Sequence, residues 1–129
     1  MQQGLILFAH GARDPRWAEP FDQVAARVRE LRPGQRVTMA YLEFMAPDLD
    51  AAGNALAEAG CQRVEVLPLF LGAGGHVRKD LPERLARLRE RHPTVTWTLH
   101  AAAGESPRLV QALADIAAET LALPGPEQP

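Results

Sequence analysis

The 129-residue chain has one cysteine, Cys61. It therefore has no internal disulfide, and a thiolate metal site would have no second sulfur to share the ion. Coming just after Gly60, Cys61 reads as a small residue entering a strand. Long apolar runs are missing too: none approaches the roughly 18 residues of a membrane span. The opening "MQQGLILFAHGARDP" lacks the cationic start and small-residue cleavage site of a signal peptide, so a cytoplasmic location is expected. There is no basic excess, with 14 Lys and Arg against 16 Asp and Glu and a formal net charge of −2. Nothing global draws the chain to nucleic acid or a membrane surface. Nucleotide signatures are absent as well. "GAGGHVRK" has no Gly-Lys-Ser ending of a phosphate-cradling loop, and Val77 stands where a dinucleotide fingerprint wants its third glycine, which argues against ATP and NAD as cofactors.

What is present is an ordinary globular composition, 47% hydrophobic and 23% charged, in a length that suits one core. One domain over 1–123 is expected, followed by a disordered tail over 124–129, "PGPEQP", with nothing to pack. Four apolar runs read as strands: "GLILFAH" (4–10), "RVTMAYLE" (36–43), "RVEVLPLFL" (63–71) and "TVTWTLHAA" (94–102). A helical stripe follows each. Trp17, Phe21, Val24, Val28 and Leu31 form the first; Leu49, Ala52, Leu56 and Ala59 the second; Leu81, Leu85 and Leu88 the third. The fourth, Leu109, Leu113, Ile116 and Thr120, begins at Ser106 as N-cap with Pro107 in the first turn. Alternating strands and helices predict an α/β, three-layer fold with a four-stranded parallel sheet and helices on both faces.

Ligands in open parallel sheets bind beyond the carboxyl ends of the strands. The first three strand ends there carry His10, Glu43 and, after the glycine break, His76. Two imidazoles and a carboxylate suit a borderline divalent ion. A lone strand-end histidine is more often structural; three potential ligands on one edge make a constellation. "AYLEFMAP" sets Glu43 among apolar neighbours, where a carboxylate wants a partner. In "GAGGH" the glycines predict positive φ angles, which leaves the histidine to be explained. Phosphoryl transfer of the histidine-phosphatase kind wants arginine directly before the histidine, and Ala9 occupies that place. His92, at a helix end before Pro93, is accounted for by the helix dipole. His100 closes the fourth strand, in alternation with Thr94, Thr96 and Thr98. Arg13, Arg16, Arg78 and Lys79 flank His10 and His76, a cationic ring that suits a polyanionic ligand.

"HGARDPRW", "AYLEFMAPDL" and "VLPLFLGAGGHVRKDLP" resemble the motif blocks of the small class II (CbiX-type) sirohydrochlorin chelatases, over most of residues 4 to 110. The resemblance implies insertion of a divalent metal (Co²⁺, Fe²⁺ or Ni²⁺) into sirohydrochlorin without ATP, on the way to cobalamin or siroheme. The metal is the substrate, and no cofactor beyond it is implied. His10 and His76 match the family's metal-site histidines, and Glu43 its strand-end acid, as ligand or proton acceptor. The resemblance gives Arg13, Arg16, Arg78 and Lys79 the macrocycle's carboxylates to bind. Many relatives are about twice as long, with two similar halves enclosing the cleft, which implies a homodimer here. The histidine-rich stretch common in short family members is absent. Two alternatives use the same three ligands: a non-catalytic metal or tetrapyrrole carrier, and a zinc hydrolase. The second lacks a helix-borne His-Glu-x-x-His motif and a separate general base.

Overall fold

A computed structural model describes residues 2–72 and 74–123, with His76 placed by its backbone alone. The tail over 124–129 lies outside the described residues. The strands are β1 (Gln3–Ala9), β2 (Arg36–Tyr41), β3 (Arg63–Pro68) and β4 (Thr96–Leu99). The helices are α1 (Glu19–Leu31), α2 (Leu49–Glu58), α3 (Gly75–Arg91) and α4 (Pro107–Glu119), with short 3₁₀ turns at Pro15–Ala18 and Ala103–Glu105. All neighbouring strands are parallel, in the order β2-β1-β3-β4. The α/β fold with a four-stranded parallel sheet is the one expected.

The near-continuous apolar character of β1 has its cause in helices on both faces. Ile6 and Phe8 point one way and Leu7 and Ala9 the other, and none is more than 1% exposed. On the first face Ile6, Phe8, Val64, Val66 and Trp97 meet Leu49, Ala52 and Leu56 of α2 and Leu81, Leu85 and Leu88 of α3. The α3 stripe is as the periodicity predicts, and so is that of α2 except at Ala59, which is the C-cap beyond the helix end and only partly buried. The Asp48 carboxylate accepts from the Ala51 N–H at 2.8 Å and starts α2. His92 ends α3, donating its N–H to Leu88 and pairing its Nε2 with Asn54 Oδ1 at 2.8 Å, a structural role.

On the second face Leu7, Ala9, Met39 and Tyr41 pack with Ala25 of α1. The α1 stripe is shallower than its spacing predicts, with Val24 42% and Leu31 68% exposed. The small Ala25 side chain lets the helix lie low on the sheet, so the larger residues flank the contact.

α4 departs further from expectation. Ser106 precedes it and Pro107 opens it, but no side-chain cap bond forms, and none of its residues is buried. Its apolar stripe exists and stays uncovered: Leu113 is 43% and Ile116 60% exposed. Among the described residues no helix is long and apolar enough to cross a membrane.

Candidate functional site

Parallel pairing continues past the strands. Leu69 donates its N–H to Phe8 at 2.7 Å, Leu42 to Ala9 at 3.0 Å and Glu43 to His10 at 3.1 Å. The first three strand-end loops therefore leave the sheet side by side, and the backbones of His10 and Glu43 are joined directly. Gly11 makes the junction possible. Its φ is +91°, and a Cβ there would collide with the Glu43 carbonyl, so both the conformation and the space require glycine.

His10 is exposed at this edge, with its ring edge-on to Phe70, centroids 5.5 Å apart. Phe70 is 6% exposed and also lines a cleft of about 270 Å³ with Arg78, Leu81 and His100. His10, Arg78 and His100 are thus arranged around one aromatic side chain on the strand-end face.

The surroundings of Glu43 differ from the reading. Instead of lying among apolar groups, it is exposed. The next residue, Phe44, takes a positive φ of 66°, which swings its ring outward to 57% exposure. The Arg13 guanidinium lies over that ring, 4.7 Å from its centroid. The Glu43 carboxylate keeps its water and has no desolvation cost to offset.

The cations divide. Arg13 is held on Phe44. Arg16 turns to Asp14: its backbone N–H donates to Asp14 Oδ1 at 2.9 Å and its guanidinium forms a 2.8 Å ion pair with Oδ2. These bonds hold the Asp14 carboxyl below the usual carboxylate range. Arg16 thereby fastens the 3₁₀ turn that leads into α1. Arg78 and Lys79 are exposed on the first turns of α3.

His76 is the second residue of α3, and its side chain lies outside what is described. The glycines before it do not act as expected. Positive φ among the described glycines occurs at Gly11, Gly34 and Gly60, while Gly74 is extended at φ −67°. A Cβ on Gly72, Gly74 or Gly75 would meet nothing within 4 Å. These glycines are neither sterically required nor left-handed; they leave open space around the start of α3.

Sequence reasoning passed over three neighbours of the site. Phe70 and Phe44 carry no signal beyond apolarity. Glu65 had one, as the single charge inside "RVEVLPLFL". It faces His100, with Nε2 and Oε1 3.8 Å apart, and its other oxygen is buried without a hydrogen-bond partner. His100 follows its predicted alternation: Trp97 is buried while Thr96 and His100 are exposed. Among the described residues no three His, Cys, Asp or Glu side chains gather as a metal site. The described parts form an open edge instead: an accessible imidazole and carboxylate on linked backbones, an aromatic floor, and cations at the rim.

Residues 4–120 match the CbiX family model. This chain belongs to the CbiX family. It is similar to the sirohydrochlorin cobaltochelatase of Methanocaldococcus jannaschii, 31% identical over 90 residues that cover 70% of this chain and 63% of the relative. The sirohydrochlorin ferrochelatase of Priestia megaterium is 27% identical over 119 residues, 90% of this chain and 44% of the relative. A solved CbiX protein from Marinobacter aquaeolei VT8 superposes with a TM-score of 0.79 at 38% identity, covering 92% of this chain and 96% of that one. SirB from Bacillus subtilis, solved with Fe³⁺, shares the fold at a TM-score of 0.80 and 21% identity, and 49% of it is covered. The CbiX chain thus spans less than two thirds of the named chelatases it matches.

Proposed function

We propose that this CbiX chain is a sirohydrochlorin chelatase, a lyase-type enzyme that places a divalent metal, cobalt or iron, into a tetrapyrrole without ATP. One observation carries the reading. Residues 4–120 match a family, and relatives of the chain are named sirohydrochlorin cobaltochelatase and ferrochelatase.

Insertion exchanges two pyrrole N–H protons for one metal ion. The site must hold the ion loosely, take up protons, and keep the macrocycle in place. His10, His76 and Glu43 are the proposed metal ligands. A neutral imidazole can also accept a pyrrole proton at physiological pH. The exposure of His10 and Glu43 suits an ion that must leave again, because hydrated ligands bind less tightly than a closed four-ligand cage. Arg78 and Lys79 stand where cations are costly for a helix, next to its positive end, and that concentration of positive charge suits the macrocycle's carboxylates. Arg13 contributes from across the edge. Arg16, already paired with Asp14, contributes less.

The 270 Å³ cleft falls below the roughly 300–1,000 Å³ of ordinary small-molecule sites. A flat macrocycle wider than a drug-sized ligand needs a second wall, and a homodimer supplies it.

The test is an anaerobic absorbance assay with metal-free sirohydrochlorin and Co²⁺, Fe²⁺ or Ni²⁺, each against a no-protein blank. Substoichiometric protein should accelerate insertion. His10→Ala and His76→Ala should each lose on the order of 10²-fold or more, the usual contribution of a positioned base. A spectral shift that only tracks protein concentration defeats the reading, and full activity in His76→Ala removes that residue from it.

A further inference from the structure

We propose that the ring of Phe44 is the surface on which the flat macrocycle rests, and that Arg13, stacked on the same ring, holds a carboxylate at the macrocycle's rim. This rests on the chelatase reading above and adds to it a pair of residues that orients the substrate.

The backbone at Phe44 supplies the first argument. Among the described residues it is the one non-glycine with a positive φ, 66°. The Met45 N–H donates to the Glu43 carbonyl at 2.8 Å, so residues 43–45 form a γ-turn centred on Phe44, of the rare and strained hand. A bulky side chain persists in such a conformation only where its surroundings hold it there. They do so here. Tyr41 donates its N–H to Pro47 at 2.9 Å, Leu42 and Glu43 are bonded to Ala9 and His10, and the missing side chain of Gly11 leaves room for the Glu43 carbonyl. Glycine at position 44 would take this φ without strain, yet the chain places phenylalanine there.

The turn also separates two adjacent apolar residues. Met45 packs against the layer of Leu7, Met39 and Tyr41, while Phe44 is turned out to 57% exposure. A single exposed apolar side chain is ordinary. One held outward by a strained turn, beside a residue that does reach the core, has no purpose in folding.

Position and chemistry give it one in binding. Phe44 directly follows Glu43, whose backbone is bonded to that of His10, so a macrocycle brought to those two groups arrives beside the ring. The Arg13 guanidinium covers one face of the ring, 4.7 Å from its centroid, and leaves the other for a conjugated plane, which stacks on an aromatic ring with an offset. Stacking engages the face of the guanidinium. Its N–H donors lie in its plane and suit a carboxylate. The pair thus recognises a flat ring with a carboxylate at its edge, and has no part in holding a bare metal ion.

Absorbance titration with metal-free sirohydrochlorin, thermal melts and steady-state Co²⁺ insertion test the pair in Phe44→Leu, Phe44→Trp and Phe44→Gly. Phe44→Leu stays apolar and loses the flat face. Its affinity for sirohydrochlorin should fall on the order of tenfold and its KM for the macrocycle should rise alike, with kcat nearly unchanged. Phe44→Trp should bind as the wild type does, and its fluorescence should be quenched on binding by more than that of the wild type. Phe44→Gly, relieved of strain, should melt no lower than the wild type and still bind the macrocycle poorly. Wild-type affinity in Phe44→Leu or Phe44→Gly overturns the proposal, as does a loss that Phe44→Trp fails to restore. A lower midpoint in Phe44→Gly makes the side chain part of the fold and overturns it too, and so does a wild type that does not bind sirohydrochlorin. Turnover keeps the two readings apart. A wild type that inserts metal, matched by Phe44→Leu, sinks the stacking and leaves the chelatase, while binding that depends on Phe44 without turnover does the reverse.

Discussion

At Gly11 the hydrogen-bonded link between the first two strand-end loops depends on a missing side chain. Gly11→Ala must adopt positive φ and push the Glu43 carbonyl away, a strain of about 1–3 kcal/mol before any clash is counted. The thermal midpoint should fall by roughly 5 °C or more, and insertion should fall further than the folded fraction does, because Glu43 moves from His10. Gly72→Ala, with open space around its Cβ, should shift the midpoint by less than about 2 °C. Cys61 gives a second residue-scale prediction. It is 2% exposed, and burial pushes its thiol above the ordinary value, with the Arg36 charge acting the other way. The native state then holds this proton more tightly than the unfolded chain. Its contribution to stability is full below the ordinary thiol range and is lost as pH rises through the folded value. A thiol reagent at pH 8 should leave native Cys61 unmodified over minutes and label it at once in denaturant; fast native labelling would contradict the burial. His10 and Glu43 were legible as edge residues because strand ends follow from apolar runs. The exposure of Glu43 was not, because neighbouring hydropathy says nothing of the positive φ at Phe44 that turns the loop outward.

The second scale is that of the helices and the faces they cover. Leu88 on α3 is fully buried in the layer shared with α2, Val64 and Trp97, and a Cβ on Gly53 of α2 would lie 2.8 Å from its methyls. Leu88→Ala should therefore cost about 2–5 kcal/mol. Calorimetry should show a midpoint roughly 10 °C lower, with insertion per folded molecule preserved because Leu88 is remote from the strand-end edge. A loss below about 1 kcal/mol would mean that the two helices close over the gap. The stripes of α2 and α3 were legible because both helices bury one full face against strands whose own alternation is clear. For α1 the period was right and the depth was not, since Ala25, a small residue with a weak pattern signal, makes the closest contact. For α4 the period gave an apolar stripe and could not give its partner. Periodicity states that a face will be covered and is silent on which chain covers it.

For the whole molecule, the homodimer proposed above would give a sheet with three helices on it and an uncovered fourth a stability that depends on concentration. When folding and pairing are coupled, mass action adds to the apparent stability as protein concentration rises. A tenfold increase contributes at most about 1.4 kcal/mol per dimer, which is a few degrees in the midpoint of a domain this size. The wild-type midpoint should climb by that amount between about 5 and 50 µM. In Ile116→Asp it should be flat, because an aspartate on the α4 stripe cannot enter an apolar contact between copies without losing its hydration. The two curves should meet on dilution, where both proteins are single copies with α4 in water. If the wild-type midpoint is flat while the protein sediments as a dimer, each copy folds independently and the pairing surface adds nothing to the fold. If the variant remains lower at every concentration, Ile116 packs within its own copy, and the exposed stripe of α4 is not how the free chain folds.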